Sequence, residues 1–307
     1  MKRVLLTGAT GFIGSHCLPL LVEKGYETHA VSSKAPPNGP QSTVYWHRAD
    51  LLHPTQLLEL MKDVKPTHLL HLAWYVVPGK WTHSMENYRW LQASLRLLEG
   101  FSLHGGQRVL FAGTCAEYDW RYSYCSESLT PLSPATFYGT CKHALQIMLG
   151  AFSKQKGISS AWGRVFFLYG PREHPERLVS SVIRSLLLGE PARCSHGNQL
   201  RDYLYVRDVA DAFVSIMESD VQGPINIASG YPVSLKEIVY NISEKLKRND
   251  LVRLGGLTAA ADEPDLLIGN TTRLNNELGW RPKYDLTHGL DETIDWWKNL
   301  KNAGQLI

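Results

Sequence analysis

The sequence lacks the features that assign a chain to a specialised class of protein. No apolar run reaches the roughly 18 residues that a membrane-spanning helix requires, so we expect no membrane partner. The formal net charge is only +3, which gives no reason to expect nucleic acid as a partner. The apolar stretch after Lys2 and Arg3 is short and ends in glycines, so it predicts a first strand and not a signal peptide.

Cysteine is scarce and scattered. The five cysteines contain no C-x-x-C pair, which argues against both a disulfide framework and a metal site. We therefore expect a cytoplasmic protein without a bound metal. With 44% apolar and 20% charged residues, the 307 residues have an ordinary globular composition and are enough for one large or two modest domains.

Strand and helix patterns alternate through the first half of the chain. Strands are predicted at 4–6, 27–32, 43–46, 67–73, 108–112 and 160–168, and helices at 12–24, 54–63, 86–104 and 138–156. This alternation predicts right-handed crossovers and an α/β fold, a Rossmann-type doubly wound parallel sheet with helices on both faces.

The alternation breaks after Gly170. Helices are predicted at 177–188, 209–217, 235–246 and 286–299, strands at 203–206 and 224–227, and a hairpin around Gly197. We expect a dinucleotide-binding domain at 1–170, to which about 203–228 returns, and a smaller C-terminal α/β substrate lobe at 171–202 and 229–307. Trp296 and Trp297 in the last helix are predicted to be core anchors.

A glycine-rich turn connects the first strand to the first helix. A dinucleotide diphosphate needs bare backbone N–H groups, no Cβ in its way and the positive end of a helix. The spacing is G-x-x-G-x-x-G, and its strand–turn–helix setting predicts a dinucleotide site. The predicted cofactor contacts here are Gly8, Thr10, Gly11, Phe12, Ile13 and Gly14.

The end of the second strand carries no carboxylate. NAD sites commonly place Asp or Glu there to bind the ribose hydroxyls, but this chain has Ser32, Ser33 and Lys34. Hydroxyls and one cation suit a 2′-phosphate, so NADP(H) is favoured over NAD(H), unless Lys34 is only a solvated residue of the loop predicted at 34–41. Asp50 and Leu51 follow the third strand and either border the adenine or form a solvated turn.

Tyr138 and Lys142 lie four residues apart at a predicted helix start, and so on one helical face. A phenol with a pKa near 10 is a poor acid or base at neutral pH, and a nearby ammonium is expected to lower that pKa. The lysine can also hold the nicotinamide ribose. Thr114 follows the strand at 108–112, where its hydroxyl can steady a substrate oxygen while Tyr138 transfers a proton.

The glycine turn, Thr114 and the Tyr138/Lys142 pair, in this order and separation, resemble the extended short-chain dehydrogenase/reductases, especially the nucleotide-sugar epimerase/dehydratase group. The resemblance covers nearly the whole chain. Further matching segments are H-L-A at 71–73, R-x-x-x-x-Y-G-P at 164–171, R-D-Y at 201–203 with D-V-A at 208–210, and L-G-W-R-P at 278–282.

This resemblance implies a Rossmann domain for the cofactor, a C-terminal lobe for a nucleoside-diphosphate sugar, and a homodimer through a four-helix bundle. It implies that the catalytic group is Thr114, Tyr138 and Lys142. Further cofactor contacts would be Leu72, Ala73, Trp74 and Phe166. Substrate contacts would be Tyr75, Cys115, Ala116, Phe167, His174, Arg177 and Arg201, although Arg201 would instead form an ion pair if Asp202 or Asp208 lay against it.

Departures from the family pattern narrow the reaction. Family dehydratases carry Asp-Glu directly after the catalytic Thr, whereas Cys115 and Ala116 stand here, so dehydration lacks its general acid and base. Phe167 stands where many epimerases and dehydratases have an Asn. We predict an NADPH-dependent ketoreductase of a nucleoside-diphosphate keto sugar, by analogy a 4-keto-6-deoxyhexose. The alternative is an NAD-dependent nucleotide-sugar 4-epimerase, and a non-catalytic dinucleotide sensor is a remote third hypothesis.

Overall fold

The computed structural model describes residues 2–34, 43–258 and 263–306. The strands in these residues are β1 (Arg3–Thr7), β2 (Glu27–Ser32), β3 (Val44–Arg48), β4 (His68–His71), β5 (Arg108–Thr114), β6 (Tyr124–Cys125), β7 (Ser159–Val165), β8 (Phe167–Tyr169), β9 (Ala192–Arg193), β10 (Leu200–Tyr205), β11 (Gly223–Ile227), β12 (Pro232–Ser234), β13 (Val252–Arg253) and β14 (Leu266–Gly269). The helices are α1 (Gly14–Glu23), α2 (Pro54–Val64), α3 (Glu86–Leu103), α4 (Phe137–Lys156), α5 (Leu178–Leu188), α6 (Val206–Glu218), α7 (Leu235–Leu246), α8 (Thr272–Glu277) and α9 (Leu286–Asn302). A 3₁₀ turn spans Cys115–Glu117.

The main sheet has the strand order β11-β7-β5-β4-β1-β2-β3 within the described residues, and every neighbouring pair is parallel. Its central strands are short apolar runs, such as Val4 to Leu6, whose side chains are fully buried. Helices α1 and α6 pack on one face and α2, α3 and α4 on the other. Burial on both faces explains why these strands are continuously apolar. The Rossmann-type α/β prediction is confirmed.

The order of the strands reverses between β1 and β4. The chain leaves β1 toward β2 on one side and leaves β4 toward β5 on the other. In open α/β sheets, ligands bind outside the carboxyl ends of the strands at such a reversal, because the two departing loops leave a crevice. The glycine turn after β1 and the segment 72–75 after β4 therefore border one cleft.

A second, smaller sheet has the order β12-β10-β14-β6, and β8 pairs with β10. Helices α5, α7 and α9 pack against each other beside it. Trp297 is 5% exposed within this cluster and Trp296 packs edge-on against it, which confirms the pair as core anchors. β10 belongs to the second sheet and β11 belongs to the first. The domain boundaries expected near 203 and 228 stay predictions.

Two sequence-based assignments are wrong. The single strand predicted at 160–168 is two strands in two sheets, because the N–H of buried Phe166 bonds to the carbonyl of Ile227 and the chain passes from one sheet to the other there. The hairpin predicted around Gly197 does not form, since β9 pairs in parallel with the distant β13. Except for Lys34, the loop predicted at 34–41 lies outside the described residues. Among the described helices, none is long and apolar enough to cross a membrane.

Candidate active site

The glycine turn is so tight that a side chain at Gly8 or Gly14 would collide with the backbone. Gly8 has a φ of +69°, and a Cβ there would lie 2.9 Å from the backbone nitrogen of Ala73. A Cβ on Gly14 would lie 2.1 Å from the carbonyl oxygen of Gly8. The N–H of Gly11 donates to that same carbonyl at 2.9 Å, so the turn folds back under the start of α1. This leaves a backbone cradle at a helix N-terminus, which fits a dinucleotide diphosphate.

A cavity of about 200 Å³ continues from this turn along the ends of β2 and β3. It is lined by Gly8, Thr10, Val31, Ser32, Ser33, Lys34, Ala49, Asp50, Leu51, Ala73 and Trp90. Eight of the predicted cofactor residues thus meet in one cavity. At the end of β2 the cavity presents two hydroxyls and one cation, from Ser32, Ser33 and Lys34.

The end of β4 is held by a buried histidine. His71 Nδ1 lies 2.7 Å from Thr7 Oγ1, and His71 Nε2 lies 2.8 Å from Ser94 Oγ. Thr7 Oγ1 in turn accepts from the N–H groups of Leu72 and Ala73 at 3.1 and 3.2 Å. Burial lowers the pKa of His71 to about 3, and the nearby ammonium of Lys142 acts in the same direction. His71 is therefore neutral, and it fixes the segment that crosses the cleft.

Tyr138 lies in the first turn of α4. The side chain of Thr136 caps this helix by accepting from the N–H of Gly139 at 3.1 Å. Glycine is required at 139 because a Cβ there would lie 2.3 Å from the carbonyl oxygen of Ala116. The start of α4 can therefore pack directly on the 3₁₀ turn, which brings the side chain of Thr114 near enough to Tyr138 to favour its phenolate form.

Lys142 lies one helical turn further along α4, and its ammonium is almost completely buried. Its Nζ donates to the carbonyl of Ala112 at 2.8 Å and stands 3.7 Å from the ring centroid of Trp74. Burial lowers the pKa of Lys142 to about 7, and the carboxylate of Glu117 opposes that shift. The structure therefore brings Thr114, Tyr138 and Lys142 together around the end of β5.

The expectation that Lys142 lowers the pKa of Tyr138 is wrong for the protein alone. Tyr138 is 8% exposed, and its burial raises the pKa of the phenol above its usual range. The side chain of Thr114 and the charge of Arg177 favour the phenolate but do not outweigh burial. Desolvation disfavours the charged form, and Lys142 is itself partly neutralised by the same effect.

Two of the predicted substrate contacts are arginines, and they differ in burial. Arg177 is exposed, and its guanidinium stands 5.6 Å from the ring centroid of Trp81, which packs edge-on against Tyr138 at 4.5 Å. Arg201 is buried, lies 5.5 Å from the ring of Phe167 and pairs with Glu263 at 2.8 Å. Both arginines therefore lie beside aromatic side chains.

The aspartates considered as alternative partners of Arg201 are engaged elsewhere. Asp202 accepts from the N–H groups of Ser229, Gly230 and Gly269, and Asp208 accepts from those of Lys283 and Tyr284.

Four other predicted contacts are less directly placed. Cys115 and Phe166 are buried in an apolar cluster with Tyr118, and burial raises the pKa of the Cys115 thiol. Packing therefore accounts for Cys115. His174 is exposed just before α5, and Tyr75 is half-buried after β4. Their roles stay predictions.

Three residues at the cleft escaped the sequence reasoning. Trp90 lines the cofactor cavity from α3, Trp81 contacts Tyr138 from the segment before α3, and Glu117 lies buried beneath Thr114. The tryptophans carry no local pattern that marks them. Glu117 had a signal, because a hydroxyl residue followed three positions later by Glu is a capping box.

A family model described as the NAD dependent epimerase/dehydratase family matches residues 4–228. The chain belongs to this family. It is therefore an enzyme of the extended short-chain dehydrogenase/reductase type, as the motifs predicted. Because Tyr138 and Lys142 are both in place, family membership favours an enzyme over the non-catalytic sensor.

Two relatives are 28% and 25% identical to this chain over the residues that align. UDP-glucuronic acid decarboxylase 1 from Xenopus tropicalis is 28% identical over 97% of this chain and 72% of its own length. UDP-glucose 4-epimerase from Rhizobium meliloti (strain 1021) is 25% identical over 99% of each chain.

Solved structures agree over nearly the full length. MoeE5 in complex with UDP-glucose and NAD has a TM-score of 0.84 and 29% identity, with 97% of this chain and 99% of that one covered. UDP-glucose 4-epimerase from Thermotoga maritima, with UDP-glucose, has a TM-score of 0.87 at 22% identity, covering 98% of this chain and 100% of that one, which shows the shared fold.

Proposed function

We propose that this family member is an NADPH-dependent ketoreductase of a nucleoside-diphosphate keto sugar, with Tyr138 as the proton donor. The observation that carries this proposal is the burial of Tyr138, which raises the pKa of its phenol. A phenol that stays protonated at neutral pH is a proton donor, and reduction of a ketone requires one proton at the oxygen. The resting protonation state of the site therefore suits reduction.

The nicotinamide cofactor, when bound, supplies the hydride that adds to the ketone carbon. Thr114 would orient the ketone oxygen by a hydrogen bond, and Tyr138 would give that oxygen its proton. Lys142, held at Ala112, can offer its remaining N–H groups to the nicotinamide ribose and its charge to the phenolate left behind. Trp81 against Tyr138 limits the access of water to the phenol.

Selection of NADPH would rest on Ser32, Ser33 and Lys34. All three line the cavity at the end of β2, and the Oγ of Ser32 accepts from the N–H of Lys34 at 3.1 Å, which fixes the turn. A 2′-phosphate would gain charge-assisted hydrogen bonds there. Asp50, the carboxylate in the described lining of this cavity, accepts from the N–H of Leu52 and so is held in the turn after β3.

The substrate side of the cleft supports a nucleotide sugar. Arg201 and Phe167 form a cationic and aromatic pair, which suits a nucleotide's phosphate or ribose, and Arg177 faces the sugar end beside Tyr138. Many epimerases have an Asn where this chain has the apolar Phe167. We therefore do not expect this chain to make the substrate contact of that Asn. By analogy, we propose a 4-keto-6-deoxyhexose as the sugar.

An NAD-dependent 4-epimerase is the second candidate, and the relatives favour it. Two UDP-glucose 4-epimerases from Rhizobium lie at 25% and 26% identity, and MoeE5 holds NAD with UDP-glucose. Both reactions use the same three residues. They differ in cofactor consumption, because an epimerase regenerates the cofactor that it uses.

One assay separates the two candidates. The enzyme is incubated with NADPH or NADH and a panel of UDP-, dTDP-, GDP- and CDP-linked 4-keto-6-deoxyhexoses and hexoses, and the nicotinamide absorbance is followed. Stoichiometric loss of NADPH with a keto sugar supports the reductase. Conversion of a hexose without net loss of cofactor would establish the epimerase instead.

We also propose a homodimer through a four-helix bundle formed by α3 and α4. These helices pack on each other, and their outer surface exposes Met85, Tyr88, Ile147 and Met148. Apolar side chains on adjacent helix faces suit a second copy of the chain. Sedimentation equilibrium should give a dimer for the native chain and a monomer for a double Ile147→Glu, Met148→Glu variant. A native monomer at micromolar concentration would contradict the proposal.

A further inference from the structure

A buried ion pair lies directly beneath the proposed catalytic threonine. Glu117 and Arg164 are both fully buried, and Arg164 Nε donates to Glu117 Oε2 at 2.7 Å. The carboxylate also accepts from the indole N–H of Trp162 at 2.9 Å and from the backbone N–H of Thr114 at 2.8 Å. Three donors on two neighbouring strands, Thr114 on β5 and Trp162 and Arg164 on β7, therefore converge on one carboxylate.

The backbone around Thr114 is shaped by this carboxylate. Thr114 Oγ1 accepts from the N–H of Ala116 at 3.2 Å while Glu117 accepts from the N–H of Thr114, so the two ends of the 3₁₀ turn hold each other. Gly113 is required because a Cβ there would lie 2.0 Å from the indole nitrogen of Trp162 and 2.7 Å from Glu117 Oε1. The direction in which Thr114 presents its hydroxyl thus depends on Glu117.

A merely structural role accounts poorly for such a pair. Replacing a buried ion pair by apolar residues of similar volume is often neutral or stabilising, because desolvation of the two charges cancels their attraction. Here Arg164 Nη2 also has no hydrogen-bond partner among the described residues, which adds a further cost. The stability of the fold alone therefore gives little reason for two charges at this position.

We infer that Glu117 is a positioning residue of the redox site, which orients Thr114 through its backbone and places one buried negative charge within range of Tyr138 and Lys142. This inference rests on the proposed catalytic group. Arg164 pairs with the same carboxylate at 2.7 Å.

The charge of Glu117 acts on both groups in the same direction. It raises the pKa of Lys142 against the effect of burial, and it raises the pKa of Tyr138 together with burial. The other titratable groups that face Lys142 are His71 from β4 and Tyr138 on its own helix; Tyr138 is also faced by Cys115 and Arg177. Loss of the Glu117 charge should therefore lower both the Lys142 and Tyr138 pKa values.

The test measures NADPH affinity against pH by nicotinamide fluorescence, which needs no sugar substrate. In the native enzyme, affinity should fall as pH rises through about 7, because Lys142 loses its proton there. In Glu117→Gln, which keeps the shape and an acceptor for Thr114, that midpoint should move about one pH unit lower. Tyr118→Phe is the matched control, since it removes a hydroxyl that bonds to Arg164 and Asn226 without touching Thr114. Its midpoint should stay unchanged.

A third variant separates this inference from the proposed site. Lys142→Met should abolish the midpoint; if the midpoint persists, the role given to Lys142 in the proposed function is wrong. If the midpoint vanishes in Lys142→Met but does not move in Glu117→Gln, the inference about Glu117 is wrong and the proposed function is untouched.

The unpaired Arg164 could prevent Glu117→Gln from folding. The double variant Glu117→Gln, Arg164→Gln then removes both charges and should show an acid shift smaller than that of the single variant, because a nearby cation is lost with the carboxylate. An unmoved midpoint would again overturn the inference. If neither variant folds, Glu117→Asp decides. It keeps the charge but is one methylene shorter, so it should retain the native midpoint and lose at least about tenfold in kcat in whichever assay the enzyme turns over. Native kcat in Glu117→Asp would contradict a positioning role.

Discussion

The two ends of the cofactor cleft are built in different ways. At the proposed nicotinamide end, Tyr138 and Lys142 are buried, and Lys142 donates a hydrogen bond to the carbonyl of Ala112. At the proposed adenosine end, Ser33 and Lys34 are exposed at the edge of the cavity. Buried groups have shifted pKa values and fixed positions, which chemistry requires. Exposed side chains can be substituted with little effect on the fold. Selection between NADP(H) and NAD(H) requires only such side chains. We therefore expect reaction and cofactor preference to be separable in this chain.

The largest effect is expected from Tyr138→Phe. It removes the proposed proton donor and keeps the ring against Trp81, so kcat should fall by about 10²- to 10⁴-fold while NADPH affinity changes little. Tyr240→Phe, on the exposed face of α7, is the matched control and should retain full activity. If Tyr138→Phe kept activity within a factor of two of native, the role of Tyr138 as proton donor would be contradicted.

Gly14→Ala should have the next largest effect. Its Cβ would lie 2.1 Å from the carbonyl oxygen of Gly8, so the turn must open. Overpacking of this kind costs about 1–3 kcal/mol, which corresponds to about a 5- to 150-fold loss in dinucleotide affinity if the cradle bears the strain. Gly150→Ala, where nothing lies within 4 Å of an added Cβ, is the control and should bind normally. Equal affinities in both variants would show that the cradle does not hold the cofactor.

Acid should destabilise the buried end through His71. Its folded pKa of about 3 lies below the ordinary value of 6.5, so the unfolded chain binds a proton first as pH falls. Stability is therefore complete above about pH 6.5 and is lost on going toward pH 3. The expected loss at pH 5 is about 2 kcal/mol relative to pH 7.5, measured by urea unfolding. His71→Gln should flatten this part of the pH dependence, and an unchanged slope would count against a neutral, buried His71.

The smallest effect is expected at the exposed end. Lys34→Ala should weaken NADPH binding by about tenfold, through loss of one charge-assisted hydrogen bond, and leave NADH binding unchanged. Lys154→Ala, an exposed lysine near the far end of α4, is the control. If native enzyme binds NADH as tightly as NADPH, the cofactor preference read from Ser32 to Lys34 is wrong.

Features with a local sequence pattern could be predicted, whereas features that depend on burial in the whole fold could not. Strands such as Val4 to Leu6 and the glycine turn have local patterns, because continuous burial and a tight turn each restrict the residue types. The parallel, doubly wound character of the main sheet followed from the alternation of its elements, whereas its strand order was not predicted. The junction at Phe166 was missed because a long apolar run looks the same whether it serves one sheet or two. The effect of Lys142 on Tyr138 was misjudged because burial is a property of the whole fold.

Within the site, contacts between distant segments were invisible. Trp81 and Trp90 reach the cleft from segments with no motif, and the partner of Arg201 is Glu263, which lies 62 residues away. Glu117 could be placed in a capping box from the sequence alone, but its convergence with Trp162 and Arg164 depends on the pairing of β5 with β7. Local chemistry was therefore predictable and its buried support was not.

The most direct measurement crosses the two ends of the cleft. Turnover of a nucleotide 4-keto-6-deoxyhexose and the Kd for NADPH are measured on native enzyme, Tyr138→Phe and Lys34→Ala. We predict that Tyr138→Phe loses turnover and keeps its Kd, while Lys34→Ala raises the Kd and keeps turnover at saturating NADPH. Loss of turnover at saturating NADPH in Lys34→Ala, or full turnover in Tyr138→Phe, would contradict the separation of chemistry from cofactor choice.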